Sequence, residues 1–149
     1  SGSMSTVAQI YTERAGWTLA IRSFTVWLAL IAAESVNGLF REAFLVRSIG
    51  QVYAKQLSFG LSLVILLSLT IVFIKWIDTS LRHRLLAIGV CWAILTVCFE
   101  AVLGRLILGA SWDVILSDYD VTRGGLMSFG IVFMIFLPLL ARRLRCGQV

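Results

Sequence analysis

Residues 22–41 read RSFTVWLALIAAESVNGLFR, and the spacing of their charges decides the fold. Between Arg22 and Glu34 lie eleven residues. That is about 17 Å of helix, too short for a hydrocarbon core about 30 Å thick. Running on to Arg41 encloses eighteen residues, about 27 Å, which is enough. A helix that crosses here must carry Glu34 and Asn37 inside the membrane. The stretch after Arg84 repeats the problem. Glu100 follows fifteen residues later, about 22 Å of helix, whereas Arg105 follows after twenty, about 30 Å. Glu100 is therefore a second intramembrane carboxylate.

Two further stretches need no such argument. Leu57 to Ile74 and Gly124 to Ala141 are unbroken by charge, with the only proline, Pro138, near the end of the latter. The spans fall at about 22–41, 57–75, 85–105 and 124–141. The expected fold is an all-α integral membrane protein, a four-transmembrane-helix bundle forming one domain over residues 1–149. Composition agrees, since only 14% of residues are charged, against roughly a quarter in soluble domains. Mean hydropathy is +0.93. Ser1-Gly2-Ser3 before Met4 reads as an expression remnant, outside the fold argument. The residues after Met4 lack the short apolar core and cleavage site of a signal peptide.

A formal charge of +5 would suggest nucleic acid in a soluble protein. Here the basic residues flank apolar segments, so the expected partner is the lipid bilayer and not nucleic acid. Arg14, Arg22, Lys75, Arg82, Arg84, Arg142, Arg143 and Arg145 fall on one side of the four spans. Arg41, Arg47, Lys55, Arg105 and Arg123 fall on the other, diluted by Glu42, Asp113, Asp118 and Asp120. The excess of lysine and arginine assigns both termini to the cytoplasm, with a bacterial inner membrane as the expected setting. Glu34 and Glu100 then sit at similar depth in the outer leaflet. Trp17 and Trp76 mark the inner interface, and Tyr53 and Tyr119 the outer one.

Both outer connections are too apolar to be free loops. Ser111 to Asp118 reads as a short interfacial helix capped by Ser111, and Phe44 to Tyr53 as another broken by Gly50. Glu34-Ser-Val-Asn-Gly38 and Glu100-Ala-Val-Leu-Gly104 share three residue types at an offset of 66, which Tyr53 and Tyr119 keep. Ser58-Phe-Gly60 and Ser128-Phe-Gly130 match at an offset of 70. A tandem two-helix repeat about an axis along the membrane normal would give this pattern, and so would coincidence among common membrane residues.

The candidate ligand-binding residues are Glu34, Asn37, Arg41 and Glu100. Charges inside a span are costly and usually face the bundle interior or water. On the first span Trp27, Leu30, Glu34, Asn37 and Arg41 share a face. On the third, Gly89, Ala93, Thr96, Glu100 and Gly104 do so, and small residues at that spacing mark a close helix contact. Arg105 stands about 140° around from Glu100 and is a poor partner for it. Arg41 is a better one, and a Glu100–Arg41 pair would lock the first span to the third. Asp113, Asp118, Tyr119, Asp120 and Arg105 are secondary candidates. The aspartates suit either a cation at the outer surface or the capping of the next helix, for which Asp120 or Thr122 is placed. Arg142, Arg143 and Arg145 suit a topology anchor with affinity for anionic lipid. The single histidine, His83, sits away from the acids. The cysteines lack zinc spacing, and Cys91 and Cys98 are about 10 Å apart along one helix, too far to bridge. No metal and no cofactor is expected.

Three functions follow. The foremost is binding or transport of a small amphiphile, lipid headgroup or cation in a polar pocket open to the outer leaflet. Transport would call for a homo-oligomer, since four helices enclose little space. The second is an enzyme acting on a lipid or isoprenoid headgroup, with Glu34 or Glu100 as acid or base and Asp118 or Asp120 on a metal. The third is a structural or assembly subunit whose buried charges fix helix register.

Overall fold

Gly50 is the point at which the first long helix ends, because its backbone (φ 85°, ψ 169°) lies in a region open almost only to glycine. The computed structural model describes residues 2–77, 82–123 and 125–146, apart from the side chains of Arg123 and Cys146. Helix α1 (Gly2–Phe40) continues through a π-helical turn at Arg41–Leu45 into α2 (Val46–Ile49). After Gly50, α3 (Gln51–Ile77) runs back, followed by α4 (Arg82–Val102) and a second π-helical turn at Leu103–Ile107. The short α5 (Trp112–Ser117) and a 3-10 turn (Val121–Arg123) lead to α6 (Met127–Cys146). There is no strand among the described residues. Four helical stretches are long and apolar enough to cross a membrane, so the protein is an all-α bundle of four spans.

Boundaries differ from the sequence reading in three places. The first helical stretch is 48 residues long, about 72 Å, more than twice the hydrocarbon thickness. Its first part, residues 2–18, is wholly exposed. The first outer connection is helical and broken at Gly50, as expected, but its helix is continuous with the spans on both sides. Helix runs on to Ile49, and α3 begins at Gln51, six residues before Leu57. The fourth span, expected from Gly124, which lies outside the described residues, is helical from Met127, where α6 starts. The second outer connection does hold a short helix, and Ser111 caps it by accepting a hydrogen bond from the Val114 amide.

The four long helices form a ring in which α4 packs most extensively on α6, α6 on α3, and α3 on α1. The contact of α1 with α4 is slighter but closes the ring. Gly89 explains the tightness of α4 on α6. A Cβ built there would fall 1.9 Å from the Ile135 carbonyl oxygen, so the two backbones meet with no room for a methyl group. Farther along the same face, Thr96 donates to Met134 Sδ at 3.1 Å.

Two indoles fasten α1 to α4. Trp27 Nε1 donates to Thr96 Oγ1 at 3.1 Å, and Trp92 Nε1 donates to the Ser23 carbonyl at 3.0 Å. One tryptophan reaches each way, and both pairs are 69 residues apart. The lean of the side chains therefore cancels, and the parallel helices are in register at that offset. Glu100 is then level with Ile31, three residues and about 4.5 Å from the level of Glu34. The two acids share one zone of the bundle, at the end away from the termini.

Candidate functional site

Asn37 and Ser58 anchor this zone. Asn37 is buried; its Nδ2 donates to the Ser58 carbonyl at 3.2 Å, and Ser58 Oγ donates to Asn37 Oδ1 at 3.3 Å. The pair holds α1 to α3 with both amide functions, so Asn37 serves packing and stands beside the acid. One turn back on α1, Glu34 Oε2 accepts a 2.5 Å hydrogen bond from Ser62 of α3. Glu34 Oε1 is buried and receives no hydrogen bond. Such an atom forfeits its hydration without a well-formed hydrogen bond, a cost of about 1–3 kcal/mol, offset in part by the nearby Asn37 amide and the Arg41 charge.

Arg41 begins the π-helical turn and comes within electrostatic reach of both Glu34 and Glu100. It pairs with neither. Its Nε lies 3.4 Å from Glu42 Oε1, and that side chain is more exposed than its own. The Glu100–Arg41 lock drawn from the sequence is thus absent. The acid next to Arg41 in the chain can follow the guanidinium toward the water, whereas Glu100 is fixed on another helix. Glu100 itself has an exposed side chain with no hydrogen bond or ion pair among the described residues. The charges it feels are Asp118, Arg41 and Glu34.

The turn after α5 completes the rim. Asp118 pairs with Lys55 at 3.5 Å, tying the turn to the start of α3. Ser128 Oγ donates to the Tyr119 carbonyl at 2.5 Å. Tyr119 is half-buried, and burial, followed by the charges of Glu100 and Asp118, pushes its phenol above the ordinary value of 10.0. A neutral phenol facing carboxylates is a hydrogen-bond donor at all physiological pH values.

The other secondary candidates point elsewhere. Arg105 donates to the Ala110 carbonyl at 3.3 Å and lies over the Trp112 ring, as its angular offset from Glu100 requires. Asp120 accepts from both the amide and the hydroxyl of Thr122, which makes it the cap of the 3-10 turn. Asp113 is exposed in the first turn of α5. Among the described residues no three His, Cys, Asp or Glu side chains come together as metal ligands.

The sequence reading missed Ser58 and Ser62, the partners that α3 offers to α1. The signal was present as spacing: Ala54, Ser58 and Ser62 recur at steps of four and continue as Leu66, Thr70 and Ile74 along the inner face. Comparison with known proteins adds nothing to this geometry, since no protein-family model, curated protein or solved structure matches the chain.

Proposed function

We propose that the protein binds a small cationic amphiphile, or a lipid headgroup carrying a cation, in the polar pocket of Glu34, Asn37, Arg41 and Glu100. The observation that carries this reading is the buried Glu34 Oε1 with no donor. Glu100 is likewise unpaired, while the nearest guanidinium, Arg41, is held by Glu42. Two carboxylates without a basic partner favour a positive ligand over an anionic one. An ammonium group between them would supply the missing hydrogen bond, and Tyr119 would donate to any oxygen the ligand bears. An apolar tail would leave toward lipid past the exposed side chains of Val36, Leu39, Val97 and Val102.

The setting we infer is a bacterial inner membrane with both termini in the cytoplasm, so that the pocket opens to the outer leaflet. Movement of the ligand across the bilayer would require a homo-oligomer. Native mass spectrometry from mild detergent, with dodecylammonium as a probe cation, tests the proposal. The wild type should retain the probe or a co-purified small molecule, and Glu34→Gln/Glu100→Gln should lose it. Equal retention by a folded double variant would refute the site. The same spectra report the number of subunits.

A further inference from the structure

At the opposite end of the bundle a second polar feature stands apart from the acids. A cleft of about 200 Å³ opens between α1, the end of α3 and the start of α4. Ala15, Thr18, Leu19 and Arg22 line it from α1, Ile77 from the last residue of α3, and Arg84 from the first turn of α4. We propose that this cleft binds the phosphate of an anionic phospholipid headgroup, with Arg22 and Arg84 as its donors.

The charges argue for an anion. Two guanidiniums line one cleft, a repulsive arrangement unless something negative joins them. Arg22 uses one nitrogen on the Trp76 carbonyl at 3.0 Å and rests over the Trp76 ring, leaving its other donors available. The carbonyl it meets is one of the last four of α3, which have no partner within the helix. Arg22 is therefore held in place before any ligand arrives. Arg84 is half-buried and makes no hydrogen bond or ion pair among the described residues. Glu13 precedes Ala15 by two residues, about 200° around the helix, and so faces away from the cleft. Asp78, which follows Ile77 in the chain, lies outside the described residues.

Depth and shape argue for a lipid as the source of the phosphate. The exposed rings of Trp17 and Trp76 fall at this level, as expected where a chain meets the headgroup layer. Leu19 and Ile77 give the cleft apolar walls that suit a glycerol backbone and the first acyl carbons. Basic pockets between membrane helices are a recurrent way to hold acidic headgroups.

The test is native mass spectrometry of the whole chain titrated with phosphatidylglycerol, with phosphatidylcholine and inorganic phosphate as separate arms. The wild type is expected to hold one phosphatidylglycerol, and Arg84→Gln to bind it about ten-fold more weakly. Arg84→Lys should recover part of the loss. Arg143→Gln, which removes an exposed charge from the same end, should bind as the wild type does. So should Glu34→Gln/Glu100→Gln, which separates this site from the acidic pocket. An unchanged affinity in a folded Arg84→Gln would overturn the proposal, as would an equal loss in Arg143→Gln. Equal binding of phosphatidylcholine would do the same. Binding of inorganic phosphate with full displacement of the lipid would make the ligand a soluble anion and refute the lipid source.

Discussion

Glu34 and Glu100 stand about one turn apart in depth, yet their surroundings assign them different sensitivities. Glu34 has one oxygen satisfied by Ser62 and one left bare, so Ser62→Ala is expected to cost about 1–3 kcal/mol in detergent. In a Glu34→Gln background the same change should cost less, because the charge is gone. A double-mutant cycle read by thermal denaturation decides this, and equal costs would show that the pair is not coupled. Glu100→Gln breaks no hydrogen bond and should move stability by no more than about 0.5 kcal/mol. Its effect should appear at Tyr119 instead. Tyr119 titrates above 10.0, partly because Glu100 is negative. A folded-state phenol with a raised pKa favours the fold below the unfolded value, and that contribution is lost as pH rises through the folded one. Glu100→Gln should therefore lower the Tyr119 midpoint, read as tyrosinate absorbance against a Tyr119→Phe reference. No shift would place Glu100 away from the rim. Chain length alone put both acids in the membrane, since no helix from Arg22 or Arg84 could cross without them. The pairing of Glu34 with Ser62 was not legible, because the two are 28 residues apart and only tertiary packing joins them, even though spacing on α3 marks the face that carries Ser62.

Spacing says more about the helices as units. The small face of α4 and the turn after it was readable as Gly89, Ala93, Thr96, Glu100 and Gly104 at steps of three and four. The first three are buried, whereas Gly104 is half-buried and Glu100, expected to point into the bundle, is exposed where α4 outruns its neighbours' close packing. Gly89→Ala would force a methyl group onto the Ile135 carbonyl and is expected to cost about 3 kcal/mol, at the upper end for overpacking. Gly60 is the contrast. A Cβ there meets nothing within 4 Å, so Gly60→Ala should be neutral or stabilise by up to about 1 kcal/mol through helix propensity. Unfolding in micelles would measure both values, and similar outcomes for the two glycines would refute the close contact. The π-helical turns were not legible, since no residue type or spacing marks where a single widened turn falls. They fall soon after Glu34 and just after Glu100, at Arg41–Leu45 and Leu103–Ile107. In the first, the widened turn presents Arg41. The indole bonds join residues 69 apart, whereas the first and third spans echo each other at 66. Packing register and sequence offset thus differ by three residues, the same three that separate the level of Glu100 from that of Glu34.

For the molecule as a whole, the disposition of charge and the 48-residue first helix bear on orientation together. One end carries the termini and the arginines that reach back into the bundle: Arg22 to the Trp76 carbonyl, Arg145 to those of Ile71 and Val72. Arg145 was read from the sequence as part of a lipid-facing anchor, but its guanidinium turns inward to α3. Each bond ties a charge to the interface, so reversing the molecule would carry several fixed cations to the other side. The opposite end carries Glu42, Asp113, Asp118 and Asp120 among its basic residues. Lysine and arginine bias is the ground on which we propose that the termini lie inside. With the three cysteines replaced by serine, Thr12→Cys and Ser48→Cys probe the two ends, because both positions are exposed and neither lies in the bundle. A membrane-impermeant maleimide applied to intact cells is expected to label Ser48→Cys and to reach Thr12→Cys only after permeabilisation. The reverse pattern would invert the molecule, opening the acidic pocket to the inner leaflet and the arginine cleft to the outer one. The ligand of each site would then have to come from the other side.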